Sequence, residues 1–235
     1  MKAMLFAAGL GTRLQPFTLK HPKALALVNQ KTLLQRNIEY LKNAGVTEII
    51  INTHHFADQI EDFLDKNKNF GINIQLVYEP EVLETGGGLL NVRQYFDDDF
   101  LVMNVDILTD FPLSKLIAFH QTHHPLVSLA VSERQSSRKL LFTNDMRLQG
   151  WRNLKTEEEI IANTELRLYE YAFSGIHVIN PKLFDLMEKE GKFSIMQVYM
   201  QLMKNEQILG YNHSDYQLID VGRPESVLEA EKYFK

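Results

Sequence analysis

The alternation of strand and helix patterns over the first 130 residues constrains the fold more than any other feature of this sequence. Residues 2–7 are a short apolar run that ends before Gly9 and Gly11, as a buried strand does. Strand patterns recur at 46–52, 72–77, 100–105 and 126–131, and helix patterns separate them at 32–44, 57–68, 89–96 and 113–123. Strands that alternate with helices in this way form a parallel sheet covered by helices on both faces.

The second half of the chain has a less regular pattern. A hairpin is predicted around Asn144 and Asp145, and a strand over 168–179 is interrupted by Gly175. A short helix opens at Pro181, and the last three elements are a helix at 194–204, a strand at 207–212 and a helix at 224–234. Because no linker or repeat divides the chain, we predict one α/β domain with a Rossmann-like, mixed and mostly parallel sheet covered by helices.

Composition excludes several classes of protein. The 235 residues include no cysteine, which removes disulfides, thiolate metal sites and a cysteine nucleophile. No apolar run reaches 18 residues, so we expect no membrane span and a cytoplasmic protein. A net charge of −5 disfavours a nucleic-acid surface. Residues 1–38 nevertheless contain six basic residues and no acidic one, which indicates a local anion site.

The glycine loop at residues 9–16 follows the first predicted strand, at the sheet edge where ligands bind in open α/β folds. It is not a Walker A loop, because no Gly-Lys-Ser/Thr follows, and Leu14 occupies the third glycine position of the dinucleotide fingerprint. Two glycines allow close backbone approach to a phosphate, and Arg13 and Lys23 add cations. The loop therefore fits a triphosphate; the plain alternative is a tight turn with surface charges.

This loop, together with Pro22-Lys23-x-Leu25 and the stretches at 84–88, 104–106, 173–176 and 220–222, resembles the sugar-1-phosphate nucleotidylyltransferases. The resemblance is strongest to short single-domain uridylyl- and guanylyltransferases. It implies that a sugar 1-phosphate attacks the α-phosphorus of a nucleoside triphosphate, with Mg²⁺ as cofactor and pyrophosphate as leaving group. It also implies a nucleotide-binding half at about 1–130 and a sugar-phosphate-binding half at about 131–235.

The resemblance implies a role for each matching residue. Arg13 faces the leaving pyrophosphate and Lys23 bridges the two substrates. Asp106 and Asp220 bind the metal, which suits the preference of Mg²⁺ for oxygen ligands; Asp110 is expected to be only a helix cap. Contacts to the nucleotide are expected from Gly9, Gly11, Thr12, Thr85, Gly86 and Gly87, and contacts to the substrate from Glu84, Asn104, Ser174 and Gly175.

The resemblance has gaps that leave the substrates open. Many relatives carry a Glu-Lys-Pro motif with a second functional lysine, and this chain has none. Residues 133–168 match poorly, so the sugar cannot be predicted. From the stretch 84–88 we predict UTP, with a mannose-1-phosphate-type guanylyltransferase using GTP as the alternative. A non-catalytic nucleotide- or sugar-phosphate-binding module would need the glycine loop but not both aspartates. No nucleic-acid or membrane partner is expected, and the protein is expected to be a monomer or a small homo-oligomer.

Overall fold

The computed structural model describes residues 1–235 and contains fourteen strands and six α-helices. The strands are β1 (Lys2–Phe6), β2 (Leu27–Val28), β3 (Lys31–Thr32), β4 (Glu48–Thr53), β5 (Asn73–Tyr78), β6 (Phe100–Asn104), β7 (Ile107–Thr109), β8 (Val127–Ser132), β9 (Arg138–Phe142), β10 (Leu148–Asn153), β11 (Glu159–Ile161), β12 (Tyr169–Ile179), β13 (Ile208–Asn212) and β14 (Leu218–Asp220). The helices are α1 (Leu33–Asn43), α2 (Ala57–Lys66), α3 (Glu84–Leu90), α4 (Leu113–His123), α5 (Ile195–Leu202) and α6 (Pro224–Tyr233).

The strands of the first half form the parallel part of a ten-stranded sheet. Strand β1 lies between β4 and β6, and β5 follows β4, with all three pairings parallel. Successive residues of a strand point to opposite faces. Leu5 and Ile51 accordingly pack in a core with α1, α2 and α4, whereas Met4 and Ile50 pack in a second core with α3 and α5. Both faces are covered, as the strand–helix alternation predicted.

The second half adds antiparallel strands through the long strand β12. This strand pairs antiparallel with β6, β8 and β9, and the β9–β10 hairpin predicted around Asn144 is present. The pairing of β12 with β8 shifts in register between Phe173 and His177, so the predicted interruption at Gly175 lies at an irregularity of the strand. The fold class predicted from the sequence is confirmed, with a mixed sheet that is parallel in its central strands.

One helix boundary predicted from the sequence is wrong. The helix expected at 89–96 behind the three glycines is α3, which begins at Glu84 and contains Gly86, Gly87 and Gly88. Glycine disfavours helices, so its local propensity hid this one. Tertiary packing overrides that propensity, because a Cβ on Gly87 would lie 2.0 Å from the Gly191 carbonyl oxygen.

None of the six α-helices has both the length and the apolar character needed to cross a membrane.

Candidate active site

One cleft opens along the carboxyl ends of the central strands, and a second cleft adjoins it beside β9 and β10. The first has a volume of about 300 Å³ and the second about 980 Å³, and Arg13 and Gly222 line both. The first cleft brings together most of the residues singled out from the sequence, namely Gly9, Gly11, Thr12, Arg13, Lys23, Glu84, Thr85, Asn104 and Asp106. Asp220 lies at the second cleft, next to the junction. The two clefts are therefore continuous around Arg13.

The glycine loop is folded around Gly11. This residue has a positive φ of 62°, and a Cβ there would lie 2.9 Å from Cγ2 of Thr18 and 3.1 Å from Cβ of Lys23. The Thr18 hydroxyl and the Leu14 amide both donate to the Gly11 carbonyl, at 2.9 and 2.8 Å. A Cβ on Gly9, by contrast, would meet no atom within 4 Å. Gly11 is required by the fold of the loop, whereas Gly9 leaves the cleft open.

Lys23 and Asp106 form an ion pair at the base of the first cleft. Asp106 lies two residues after the end of β6. The Val105 amide between them donates to the Phe6 carbonyl at 3.0 Å and so extends the contact with β1. Lys23 begins a short 3-10 helix after Pro22, and its side chain is only 9% exposed. Its Nζ donates to Oδ2 of Asp106. A buried lysine is thereby held with its charge at the cleft.

The small antiparallel sheet of β7 and β14 brings Asp220 beside Asp106. Asp220 pairs with Ile107 in this sheet, and the Val221 amide donates to the Asp106 carbonyl at 2.8 Å. Burial raises the pKa of Asp220, and the neighbouring Asp106 raises that pKa further, against the opposing effect of nearby cations. Two carboxylates separated by more than 100 residues in sequence thus lie close enough to repel each other.

Asp220 also carries a polar atom without a partner. Its Oδ1 is buried and accepts no hydrogen bond, while its Oδ2 lies 4.0 Å from Nη2 of Arg13. No third carboxylate, histidine or cysteine joins the two aspartates in a metal-binding group. A site with one or two carboxylates is what Mg²⁺ uses when phosphate oxygens and water complete its coordination. The donor set therefore fits the metal that the resemblance implies.

Sequence reasoning missed two buried polar residues in the first cleft, Asn52 and Glu79. Asn52 Nδ2 donates to Oε1 of Glu79 at 2.8 Å, and Asn52 Oδ1 accepts from the Ala7 amide at 2.8 Å. Oε2 of Glu79 accepts from the Leu83 amide at 3.1 Å, just before α3. The signal that could have found them is position: both lie at the carboxyl ends of parallel strands, as Asp106 does.

Four of the predicted contact residues do not reach either cleft. A Cβ on Gly86 would lie 2.4 Å from the Phe193 ring, so Gly86 and Gly87 serve the packing of α3 against the 191–193 segment. Ser174 is fully buried and its hydroxyl lies 2.7 Å from Nε2 of His213. A Cβ on Gly175 would lie 3.0 Å from Nδ2 of Asn104. The crowding of backbone and side chains thus places Ser174 and Gly175 behind the cleft, under Asn104.

The fold and the two clefts define an α/β protein with its polar site at the carboxyl edge of parallel strands, where nucleotide-binding folds have theirs. The chain belongs to the nucleotidyl transferase family, whose model matches residues 2–140.

Curated relatives are similar to this chain over nearly its whole length. A mannose-1-phosphate guanyltransferase of Gibberella zeae is 29% identical over 97% of this chain, and one of Saccharomyces cerevisiae is 26% identical over 97%. The chain covers 62% and 63% of those two proteins. It therefore spans less than two thirds of the length of these relatives.

Solved structures share the fold. HddC from Yersinia pseudotuberculosis superposes with a TM-score of 0.82 at 23% identity, covering 100% of this chain and 99% of that protein. A putative glucose-1-phosphate thymidylyltransferase from Bacillus anthracis gives a TM-score of 0.84 at 17% identity, covering 99% and 94%. These structures thus share their fold with the whole of this chain.

Proposed function

We propose that this protein transfers a nucleotidyl group from a nucleoside triphosphate to a sugar 1-phosphate and releases pyrophosphate. The observation that carries the proposal is the position of Lys23, held between the glycine loop and Asp106 and beside Asp220. One buried cation there can contact two phosphate groups at once. The names of the curated relatives support the same reaction class.

The reaction depends on the stabilisation of negative charge more than on proton transfer. A phosphate oxygen of the sugar 1-phosphate forms a bond to the α-phosphorus, and the bond from that phosphorus to the β-phosphate oxygen breaks. The attacking phosphate monoester is largely dianionic at neutral pH, because its second pKa is about 6. No general base is required. The protein must hold two anions together and neutralise the charge that develops, which Lys23 and Arg13 would do from either side of the α-phosphate.

Asp106 and Asp220 would hold the Mg²⁺ ion in this proposal. The unpaired Oδ1 of Asp220 and the repulsion between the two carboxylates both favour a bound cation. When bound, Mg²⁺ supplies positive charge to the phosphate oxygens of the reacting nucleotide. Gly222 must lack a side chain, because a Cβ there would lie 2.8 Å from Oδ1 of Asp220 and 2.9 Å from Nη2 of Arg13.

In this proposal each of the two substrates binds in a different cleft. The first cleft, built by the half at about 1–130 with Gly222 at its rim, would receive the nucleotide against Gly9, Thr12 and Thr85. The second cleft, built mainly by the half at about 131–235, would receive the sugar phosphate. Arg13 lines both clefts and so stands where the substrates meet.

The base preference has two candidates. The stretch 84–88 predicts UTP. GTP is supported by the names of the relatives, and the Glu79 carboxylate in the first cleft is compatible with either base. A carboxylate can accept from the adjacent N–H groups at the pairing edge of guanine, and it can also accept from the single imide N–H of uracil. Buried polar groups left unpaired by the wrong base make such a site selective.

The test is a pyrophosphate-release screen of UTP, dTTP, CTP, GTP and ATP against hexose 1-phosphates, with and without Mg²⁺. We expect Mg²⁺-dependent pyrophosphate release with one base preferred at least about tenfold in kcat/KM. UTP as the preferred base would bear out the prediction from the stretch 84–88, and GTP would assign the protein to the guanylyl-transferring branch. Nucleotide binding without pyrophosphate release for any pair would show a binding module and refute the proposal.

A further inference from the structure

The second cleft carries positive charge that the protein does not balance. Besides Arg13, its lining includes five basic side chains and a single acidic one, Asp220. The five are Arg134, Arg138, Lys139, Lys155 and Arg223. The neighbouring Arg152, which does not line the cleft, is paired with Glu159 at 2.9 Å and with Glu170 at 2.7 Å. Arg152 outside the cleft is thus paired with carboxylates, whereas none of the five cations that line it lies within ion-pair distance of one.

Lys139 differs from the exposed cations of the second cleft because it is buried. The residue is 8% exposed, and its Nζ donates one hydrogen bond, of 2.9 Å, to the Arg134 carbonyl. No carboxylate lies within ion-pair distance. A buried ammonium without a counter-charge is strongly unfavourable, so such a group points to a bound anion.

Arg134 repeats the pattern next to Lys139. Its Nη2 donates to the Phe173 carbonyl at 2.8 Å, and its Nε is buried without a partner. Burial lowers the pKa of Arg134, and Asp220 is the one carboxylate that opposes this effect. The guanidinium therefore lies near the junction of the clefts, with donor capacity left over.

The unbalanced cations extend beyond the position of the reacting phosphate. That phosphate must approach Lys23 and Asp106, which line the first cleft only, whereas Lys139 and Arg138 line the second only. On strand β9 these two residues pair in register with Arg152 and Asn153 of β10, and Trp151 of β10 also lines the cleft. A sugar placed beside Trp151 would present its ring substituents, rather than its 1-phosphate, to Lys139.

We propose that the acceptor sugar carries a second anionic group, a ring carboxylate or a further phosphate, and that Lys139 and Arg134 bind it. The inference rests on the proposed function and specifies its acceptor. A neutral hexose would leave the buried ammonium of Lys139 without a counter-charge, whereas an anionic substituent would form charge-assisted hydrogen bonds with it.

The experiment compares matched acceptors that differ in one substituent: glucose 1-phosphate, glucuronic acid 1-phosphate and glucose 1,6-bisphosphate, with the corresponding mannose series. We expect kcat/KM for the better anionic acceptor to exceed that of its neutral parent by about 10-fold or more. The uronate and bisphosphate arms identify which anionic group the cleft takes.

Lys139→Met then assigns the effect to one side chain, because it removes the charge and keeps an unbranched side chain in the core. We expect the variant to lose about 10- to 100-fold in kcat/KM for the anionic acceptor and less than about 3-fold for the neutral one. Lys139→Arg should restore part of the preference, and Lys182→Met at the surface should not change it. If Lys139→Met fails to fold, Arg138→Gln with Lys155→Gln changes only exposed cations and should lower the same ratio.

Calorimetric binding of the same acceptors separates this inference from the proposed function. If no acceptor releases pyrophosphate, the proposed function fails, and the anionic-to-neutral ratio of dissociation constants decides the inference. A ratio near one in the wild-type protein, or an equal loss for both acceptors in Lys139→Met, would overturn it.

Discussion

The two clefts differ in whether their charged side chains have partners within the protein. In the first, Lys23 is paired with Asp106, and Glu79 accepts hydrogen bonds from both Asn52 and the Leu83 amide. In the second, Lys139 has only a carbonyl oxygen as partner. The first cleft thus holds its polar groups in place before any ligand arrives, and the second leaves them to be completed by one.

This difference corresponds to two tasks. Groups that stabilise developing charge work best when they are already oriented, and short loops at the ends of parallel strands provide that orientation. Groups that select a substrate contribute more when only the right ligand satisfies them, because the wrong one leaves buried polar groups unpaired. In the proposed function, the first cleft carries the reaction and the second the choice of acceptor.

The largest expected effect is on the paired carboxylates at the junction. Asp106→Asn keeps the shape of the side chain and removes its charge, so we expect kcat/KM to fall by on the order of 100-fold or more. Asp110→Asn is the matched control, because Asp110 Oδ1 accepts from the Gln217 amide at 2.8 Å and an asparagine can still accept there. Pyrophosphate release at saturating Mg²⁺ measures both, and equal rates for the two variants would remove Asp106 from the reaction.

Substitutions of the two cations in the first cleft, Arg13 and Lys23, should change different kinetic parameters. Arg13→Ala should lower kcat by about 10-fold, because it weakens stabilisation of the leaving pyrophosphate. Lys23→Ala should lower kcat/KM by about 30-fold and also raise KM for the sugar phosphate, because Lys23 would bridge both substrates. Lys20→Ala, in the exposed part of the same segment, should leave both parameters unchanged. An unchanged sugar-phosphate KM in Lys23→Ala would contradict the bridging role.

The glycines of the loop test whether the first cleft is preformed. Gly11→Ala should destabilise the fold by about 1–2 kcal/mol, because its φ of 62° disfavours any side chain and a Cβ would lie 2.9 Å from Thr18. Gly9→Ala should change the free energy of unfolding by less than about 0.5 kcal/mol. Urea denaturation gives both values, and equal stability of the two variants would show that the loop is not organised around Gly11.

The junction should show opposite effects on stability and activity. Asp220→Asn removes the repulsion with Asp106 and the cost of burying a carboxylate, so we expect Tm of the metal-free protein to rise by on the order of 1–2 °C while pyrophosphate release falls. Added Mg²⁺ should raise Tm of the wild-type protein more than that of the variant. Thermal denaturation with a Mg²⁺ titration measures this, and a lower Tm for the metal-free variant would argue against a repulsive pair.

An effect on stability alone is expected at a buried histidine outside both clefts. Burial lowers the pKa of His177 to about 3, and its Nδ1 lies 2.6 Å from the Tyr199 hydroxyl. The unfolded chain takes up this proton near pH 6.5 and the native state does not, so stability is complete above pH 6.5 and is lost as the pH falls toward 3. In His177→Gln this loss should be shallower by up to about 1.4 kcal/mol per pH unit. Urea denaturation between pH 7 and 4 compares the slopes, and parallel curves would contradict the depressed pKa.

Local sequence patterns are sufficient to predict the parallel half of the sheet and several of the charged groups in the first cleft. The features that predict them are local: the strand–helix alternation, the glycines after β1 and the aspartate after β6. Each can be recognised from a short stretch of neighbouring residues. Parallel strands bring their carboxyl ends to one edge whatever helices join them, so the position of Asp106 beside the glycine loop was predictable. Glu79 and Asn52 obey the same rule of position.

The positions of the remaining residues could not be predicted from local patterns, because they depend on contacts between distant segments. Asp220 reaches Asp106 through the pairing of β14 with β7, and no local pattern encodes that register. Gly86, which is predicted from the sequence to contact the nucleotide, packs closely against the Phe193 ring. The role proposed for Lys139 could not be predicted from the sequence, because it depends on the burial of this side chain in a strand that pairs with β10 and β12.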